Sequence, residues 1–399
     1  MNKFKLNPRK ITITTGSRSE YGILRPIITK LQNNKNFKLY LLVTGTHMSK
    51  KYGNTISEIK KDGFKPYSTF SLIPSGNDNY YMAKSIGDGI LEFGKIFRKI
   101  KPDINLILGD RAEMFASAIA AFYMNIPNAH IHGGDVSGSV DEYTRHAITK
   151  ISNIHFAATE KSQKRIIKMG ENPKLVFLTG SPSIDEITEN KITTKNQLNK
   201  KYNLNISDKT IILLYHPSTT KILKSKNEIK NILNAIVKIK HETIIISPNS
   251  DTGRNIIYNN LKEYSKRFSF LHIYPTFPRH DYLGLLKNAG VLVGNSSSGI
   301  IEANYLGIPV VNIGNRQHNR EKSKNVLDIE DNSVNSIKNI LTNTLRKKSI
   351  DSKFLYGRGN ASKKIINILE KIRLDNDLIQ KELFDYWFLP REVFHRHFN

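Results

Sequence analysis

The sequence predicts an α/β protein built from two Rossmann-like, doubly wound domains that face each other across a cleft. Three observations predict it. Short β-rich runs alternate with helical periodicities along most of the chain, the rhythm lapses near residues 183–208 and then restarts, and nearly every strand run ends in a polar cluster. The length of 399 residues suits two to three domains at about 150 residues each. The expected boundaries are 1–185 for the first domain, 186–374 for a nucleotide-binding second domain, and 375–399 for a tail.

In the first half, KITITT is followed by the helical pattern YGILRPIITKLQ, then by FKLYLLVTG and a helix over 54–62. NLILGD, a helix over 112–124, NAHIHG, IHFAAT, a helix over 162–169 and LVFLTG continue the βαβ rhythm, which implies a parallel sheet covered on both faces. Residues 183–208, rich in Asn, Lys and Thr, read as a crossing between domains. After them come TIILLYHP, TIIISPNS, FLHIYP, GVLVGN and PVVNIG. The last stretch breaks the pattern with Phe384, Tyr386, Trp387 and Phe388, and reads as a tail docking on the body or on a second subunit, with membrane contact as the lesser alternative.

Composition narrows the chemistry. With no cysteine there is no disulfide framework and no thiolate nucleophile. No run reaches the roughly 20 apolar residues of a membrane span and the first residues lack a signal-peptide core, so a cytoplasmic chain without membrane contact is expected. The net charge of +26 invites a nucleic-acid reading. Its lysines, however, are scattered singly along helical stretches such as KSKNEIKNILNAIVKIK, which is the pattern of a solvated surface. A positive field would still gather an anionic small substrate.

Ligands of open α/β sheets bind beyond the carboxyl ends of the strands, which is where the reactive clusters fall: Gly16-Ser17-Arg18, Gly45-Thr46-His47, Gly109-Asp110-Arg111, the run 130–133, His216-Pro217, Pro248-Asn249-Ser250-Asp251 and Gly294-Asn295-Ser296. The segment 294–303, GNSSSGIIEA, follows a strand and opens a helix, which aims backbone NH groups and the Ser296 and Ser297 hydroxyls at a bound diphosphate. Glu302 would repel a phosphate there, so it is placed as acceptor for the two ribose hydroxyls. The other reading of this segment is a self-capped helix. Arg316 and Arg320 can add charge to the same pocket. The entry at Thr15-Gly16-Ser17-Arg18 lacks G-x-G-x-x-G, which disfavours a standard NAD site, and no cofactor is expected. Arg18 there complements a diphosphate held from the opposite domain.

His130 and His132 alternate on one strand and are expected to share a face, with Asp135 three residues on. A metal site would need a further ligand that the stretch does not offer, so hydrogen bonding in a polar cleft is the expectation. Asp141 and Arg145 stand at i, i+4 of a predicted helix start. Together with Asp110, several histidines and His216 across the gap, they supply acid/base chemistry.

These motifs, GDR at 109–111, HIHGGDVSGSVDEYTRHAITK at 130–150, His216-Pro217, PNSD at 248–251, and GNSSSGIIEA with GIPVVNIGNRQHNRE, resemble the hydrolysing UDP-N-acetylglucosamine 2-epimerase family. The resemblance spans roughly residues 10 to 370 and implies a GT-B-like architecture. It also implies UDP bound by Arg18, Ser296, Ser297, Glu302 and Arg316 with His216 and Asn249 nearby, and catalysis by Asp110, His132, Asp141, Arg145 and His216. His47 is counted with the substrate-binding residues. The chain departs from the animal and non-hydrolysing members in carrying His132 where they have Glu, which leaves Asp135 or Glu142 to share that role. A UDP-sugar partner and a homodimer or homotetramer are implied. The rival readings are a non-hydrolysing epimerase, a GT-B glycosyltransferase and, from another class, a basic nucleic-acid-binding protein.

Overall fold

A computed structural model describes residues 7–50, 53–73, 79–138, 141–217, 222–248, 253–346 and 354–384. The predicted contact Asn249, and Tyr386, Trp387 and Phe388 of the tail, lie outside them. Seven strands of the first sheet are β1 (Arg9–Thr15), β2 (Phe37–Val43), β3 (Ser68–Thr69), β4 (Ile104–Leu108), β5 (Asn128–Ile131), β6 (Ile154–Ala157) and β7 (Val176–Leu178). They pair in parallel in the order β3-β2-β1-β4-β5-β6-β7. The second sheet holds β8 (Ile211–Leu214), β9 (Thr243–Ile246), β10 (Leu271–Tyr274), β11 (Val291–Gly294), β12 (Val310–Ile313) and β13 (Val326–Ile329). It is also parallel, in the order β10-β9-β8-β11-β12-β13.

β8 is buried along its whole length, which is why it reads as a continuous apolar run rather than as an alternating one; β4 is likewise buried and is interrupted only by Asn105, whose side-chain amide donates to Ser117 and Asn128. Ile11, Ile13 and Leu106 of the first sheet pack against Leu24, Ile27, Ile28 and Leu31 of the helix Arg18–Gln32. Each such side chain contributes about 1.5–3 kcal/mol of burial. Strand order reverses between β1 and β4 and again between β8 and β11. The clusters after those four strands therefore sit at the two switch points, where doubly wound sheets open a crevice.

The molecule differs from the sequence expectation in three places. A helix, Asn79–Ile100, precedes β4; its Phe93 and Phe97 are buried with Ala116 and Ala120 of the helix Ala112–Tyr123. The crossing near 183–208 is itself helical, over Pro182–Glu189 and Lys195–Tyr202. Finally, the helix Ala361–Lys371, expected in the second domain, returns to the first. Ile365, Ile366 and Leu369 enter the core of the first sheet, and Asp185 caps the helix by accepting from Ala361 N at 3.0 Å and Ser362 N at 2.6 Å. An apolar face of this kind can dock on either sheet; the Asp185 cap selects the first. The beginning of the tail docks on the same body, with Asn153 donating to Leu378 O at 2.7 Å and Phe384 N to Gly170 O at 2.9 Å. Among the described residues no helix is long and apolar enough to cross a membrane.

Gly294, the last residue of β11, has φ +136, and a Cβ there would stand 2.0 Å from Leu214 O on the neighbouring strand. Position 294 thus needs glycine for both conformation and space. Gly294→Ala is expected to destabilise the fold by about 2–4 kcal/mol, read as a lowered urea midpoint; an unchanged midpoint would refute the close approach of β8 and β11.

Candidate functional site

A cavity of about 380 Å³ opens between the two sheets, lined from both sides by the residues that follow β1, β4, β8, β11 and β12. Of the predicted residues, Arg18, Asp110, His132, Asp141, Arg145, His216, Ser296, Ser297, Glu302 and Arg316 all line it. His47 does not. It is fully buried beneath the β1 and β2 ends, its ring nitrogens 3.0 Å from Thr15 Oγ1 and 2.7 Å from Thr55 Oγ1, and its neighbour Thr46 takes the lining position. The chain turns into a short 3₁₀ helix at Gly45–Met48, which rotates His47 inward.

Arg145 is the buried hub of the first domain's contribution. One guanidinium nitrogen is ion-paired with Asp110 and another donates to Asp135 O at 2.8 Å. Burial pushes the Asp110 carboxyl up, but Arg145, and more weakly Arg320 and Arg316, outweigh it and hold the group below the usual carboxylate range. Asp141 lies 3.7 Å from Arg316 Nη2 of the opposite domain. The loop before it also reaches across. Gly138 N donates to Arg316 O at 3.1 Å, and a Cβ on Gly138 would lie only 1.7 Å from Asn315 O.

His130 and His132 do not share a face. β5 ends at Ile131, and His132 takes φ +65, which turns its side chain away from the strand's alternation. His132 Nε2 lies 2.9 Å from Ser181 Oγ and Nδ1 3.6 Å from Asp135 Oδ2. His130 is sealed in, with Nε2 2.8 Å from Gly109 O and Nδ1 3.2 Å from Thr149 Oγ1. Both of its nitrogens are therefore engaged away from any joint ligand position. Asp135 accepts from Ser162 Oγ at 2.6 Å and from Arg320 Nη2 at 2.8 Å. Burial alone would raise its pKa, but Arg320 and His132 carry it far below the carboxylate range.

On the second domain, His216 N donates to Asn295 Oδ1 at 2.7 Å and its carbonyl accepts from Asn295 Nδ2 at 2.8 Å, which fixes the β8 and β11 ends to each other. Burial first, then Arg316 and Arg111, lower the imidazole well below its ordinary value, so it is neutral near pH 7. The helix expected after GNSSSG begins as a 3₁₀ turn, Ser297–Gly299, and continues only as Glu302–Tyr305. Ser296 Oγ caps the turn through Ser298 N at 3.3 Å. Glu302 Oε1 accepts from Arg279 Nη2 at 2.7 Å and Ser183 Oγ at 2.5 Å. Arg18 bridges the domains, its Nη1 donating to Thr276 Oγ1 at 3.0 Å and its Nε lying 2.5 Å from Glu58 Oε2.

Sequence reasoning passed over Arg279, Glu20 and Glu113. Arg279 was signalled by its place just after Pro278, behind β10. Glu20 is buried with Arg111 and Glu113 in the floor of the site, and burial, offset by Arg111 and reinforced by Glu113, brings it up to about 7.

Two parallel doubly wound sheets joined by such a cleft define the GT-B-like class. Residues 29–370 match the model of the family described as UDP-N-acetylglucosamine 2-epimerase, and the chain belongs to that family. A Legionella pneumophila protein named UDP-N,N'-diacetylbacillosamine 2-epimerase (hydrolyzing) is 38% identical over 94% of this chain and 98% of its own. A Campylobacter jejuni protein named GDP/UDP-N,N'-diacetylbacillosamine 2-epimerase (hydrolyzing) is 32% identical over 82% and 86%. The crystal structure of Methanocaldococcus jannaschii UDP-GlcNAc 2-epimerase in complex with UDP-GlcNAc and UDP shares the fold, with TM-score 0.77 at 22% identity, covering 90% of this chain and 99% of that one.

The buried histidines set a testable pH dependence. Burial lowers His47 to about 4 and His130 to about 3. Unfolding lets each take up a proton near pH 6.5, so each contributes stability that is complete above that pH. The contribution is lost as pH falls toward the folded-state value, at up to about 1.4 kcal/mol per pH unit. Glu20, raised to about 7, acts in the opposite sense over an overlapping window, so the comparison must be between variants. His47→Gln is expected to lose less stability than the wild type between pH 6.5 and 4.5 in urea titrations. Parallel curves would show that His47 titrates normally in the fold.

Proposed function

We propose that the cleft converts a UDP-2-acetamido sugar to UDP and the free manno-configured sugar, by elimination and then hydration, as a step toward a nonulosonic acid. The observation that carries this reading is the meeting, in one cavity, of the Asp141–Arg316 pair from opposite domains with Asp110–Arg145, His132 and His216. The names of the two hydrolysing relatives support a 2,4-diacetamido-2,4,6-trideoxyhexose over N-acetylglucosamine as the sugar.

The C2 proton of such a sugar is barely acidic, because no carbonyl stands beside it. Departure of UDP from C1 must run ahead, so that positive charge develops at the ring and negative charge on the diphosphate. Arg18 and Arg316 meet the leaving diphosphate, with His216 as a neutral hydrogen-bond donor. Ser296 and Ser297 supply hydroxyls to the same group, and Glu302 accepts from the ribose. Asp110, held ionised by Arg145, has little affinity for a proton and serves as the fixed negative charge opposite the ring. Asp141, more exposed than Asp110 and 3.7 Å from Arg316 Nη2, is the better C2 base. Loss of the C2 proton and of UDP leaves a 1,2-unsaturated glycal. Water then adds at C1 while a proton arrives on the opposite face of C2, with His132, backed by Asp135, as its donor.

Exposed apolar side chains on neighbouring helices, among them Tyr80, Leu91 and Tyr123, support association into a homodimer or homotetramer; a cytoplasmic location, with neither nucleic acid nor membrane as a partner, belongs to the same proposal.

An NMR time course in heavy water with UDP-2,4-diacetamido-2,4,6-trideoxyglucose and, in parallel, UDP-N-acetylglucosamine tests the reading. UDP release with C2-deuterated manno sugar is expected, faster from the diacetamido donor. A UDP-sugar returned intact would indicate the non-hydrolysing reaction, and no turnover of either donor would overturn the chemistry. Asp141→Asn is expected to lower kcat by about 10²–10⁴; full turnover by this variant would transfer the base role to Asp110.

A further inference from the structure

We propose that a second cavity, on the far side of the 132–135 turn from the catalytic cleft, is a binding site for a small polyhydroxylated anion of the sugar-phosphate or sugar-acid kind. This cavity, of about 350 Å³, is formed by both domains: Asp135, Lys161 and Arg165 from the first, and Arg320, Glu321 and Lys322 with Tyr356 from the second part of the chain. Its volume is within the range that holds a monosaccharide derivative.

The lining specifies the ligand's chemistry. Asp135 accepts from Ser162 and is ion-paired with Arg320, so these two charges offset each other, and the unpaired positive charge of the cavity comes from Lys161 and Arg165. Lys161 is exposed at the rim and, among the described residues, makes no ion pair. Arg165 holds Gly134 O through one nitrogen, which leaves the rest of its fork for a second acceptor. Lys322 is held by both oxygens of Asp328 at 2.8 Å, so its charge is largely offset. The Arg320 side chain is only 9% exposed, and its Nε is a buried donor without a partner among the described residues. Glu321 Oε2 is in turn a buried acceptor without one. An anionic group satisfies the cations. A hydroxyl donor is what Glu321 lacks, and leaving such groups unmatched is costly. Sulfate, which carries no hydroxyl at neutral pH, would serve the first need and not the second.

The position matters for the reaction. Arg320 lines both cavities, and through Asp135 Oδ2 it is one residue removed from His132. A ligand drawing on Arg320 therefore acts on the turn that presents His132 to the cleft.

The site is independent of the reading of the cleft and is tested by calorimetry on the full chain, with UDP present at saturation to occupy the cleft. Glucose 6-phosphate and glucuronate are titrated separately, which distinguishes a phosphate from a carboxylate as the preferred anion, with sulfate as comparison. Saturable binding of at least one of the two sugars, tighter than sulfate, is expected. Lys161→Glu, at an exposed position, is expected to weaken it about tenfold or more, with UDP affinity retained; Arg165→Ala is expected to act in the same direction. Three results would each overturn the proposal: no saturable binding of either sugar, displacement of the sugar as UDP is raised, or sulfate binding as tightly as both sugars. UDP binding measured alone reports separately on the cleft.

Discussion

The site depends on one buried guanidinium. Arg145 sits where the ends of β4 and β5 meet the helix Asp141–Lys150, and burying its charge without partners would cost many kcal/mol. Asp110 supplies the counter-charge and Asp135 O a second acceptor. This requirement dictates the backbone around it: β4 must end so that Asp110 turns inward, and the 132–135 turn must bring its carbonyl to the same point. The turn in turn places Asp135 against Arg320 of the second domain. One satisfied charge thereby orders a chain of others that extends across the domain boundary, and Asp110 takes both its position and its lowered pKa from it.

Much of this was legible in the sequence, for a physical reason. Strands buried on both faces are predominantly apolar, and whatever follows the last apolar residue sits at the sheet's edge, so NLILGD and GVLVGN announce both the strand and the site residue. The helix Asn79–Ile100 was not read, although Ile86, Ile90, Phe93, Phe97 and Ile100 repeat at spacings of four and three. Gly87, Gly89 and Gly94 lower its intrinsic propensity, and the stability comes from packing, with Gly89 admitting Ala116 and Leu72 to close contact.

The misjudged histidines have a different cause. Alternation along a strand predicts a shared face for His130 and His132 only while the strand continues, and it stops between them. His47 was placed by its position after a strand, but the 3₁₀ turn there sends alternate side chains in and out over a single residue. Side-chain direction at strand ends is decided by the turn, and a polar cluster's sequence does not specify the turn. The same limit applied to Arg279 and Glu302. Their contact joins residues 23 apart in the chain, and only the folded second domain brings them together.

The excess of positive charge separates into two populations with different physics. Among the described residues, seven arginines and no lysine line the cleft, while most of the basic residues that make the net charge +26 lie elsewhere. A guanidinium is planar, weakly hydrated and able to hold two acceptors at once, so it tolerates burial beside Asp110, Asp135 or Glu302 and still has donors for a diphosphate. An ammonium is a strongly hydrated point charge and costs more to bury, which keeps lysine at the solvated surface or, as with Lys161 and Lys322, at the edge of the second cavity. Composition alone could not distinguish a basic surface from a basic site. The distribution of arginine against lysine does, because each is found where its hydration allows it to be.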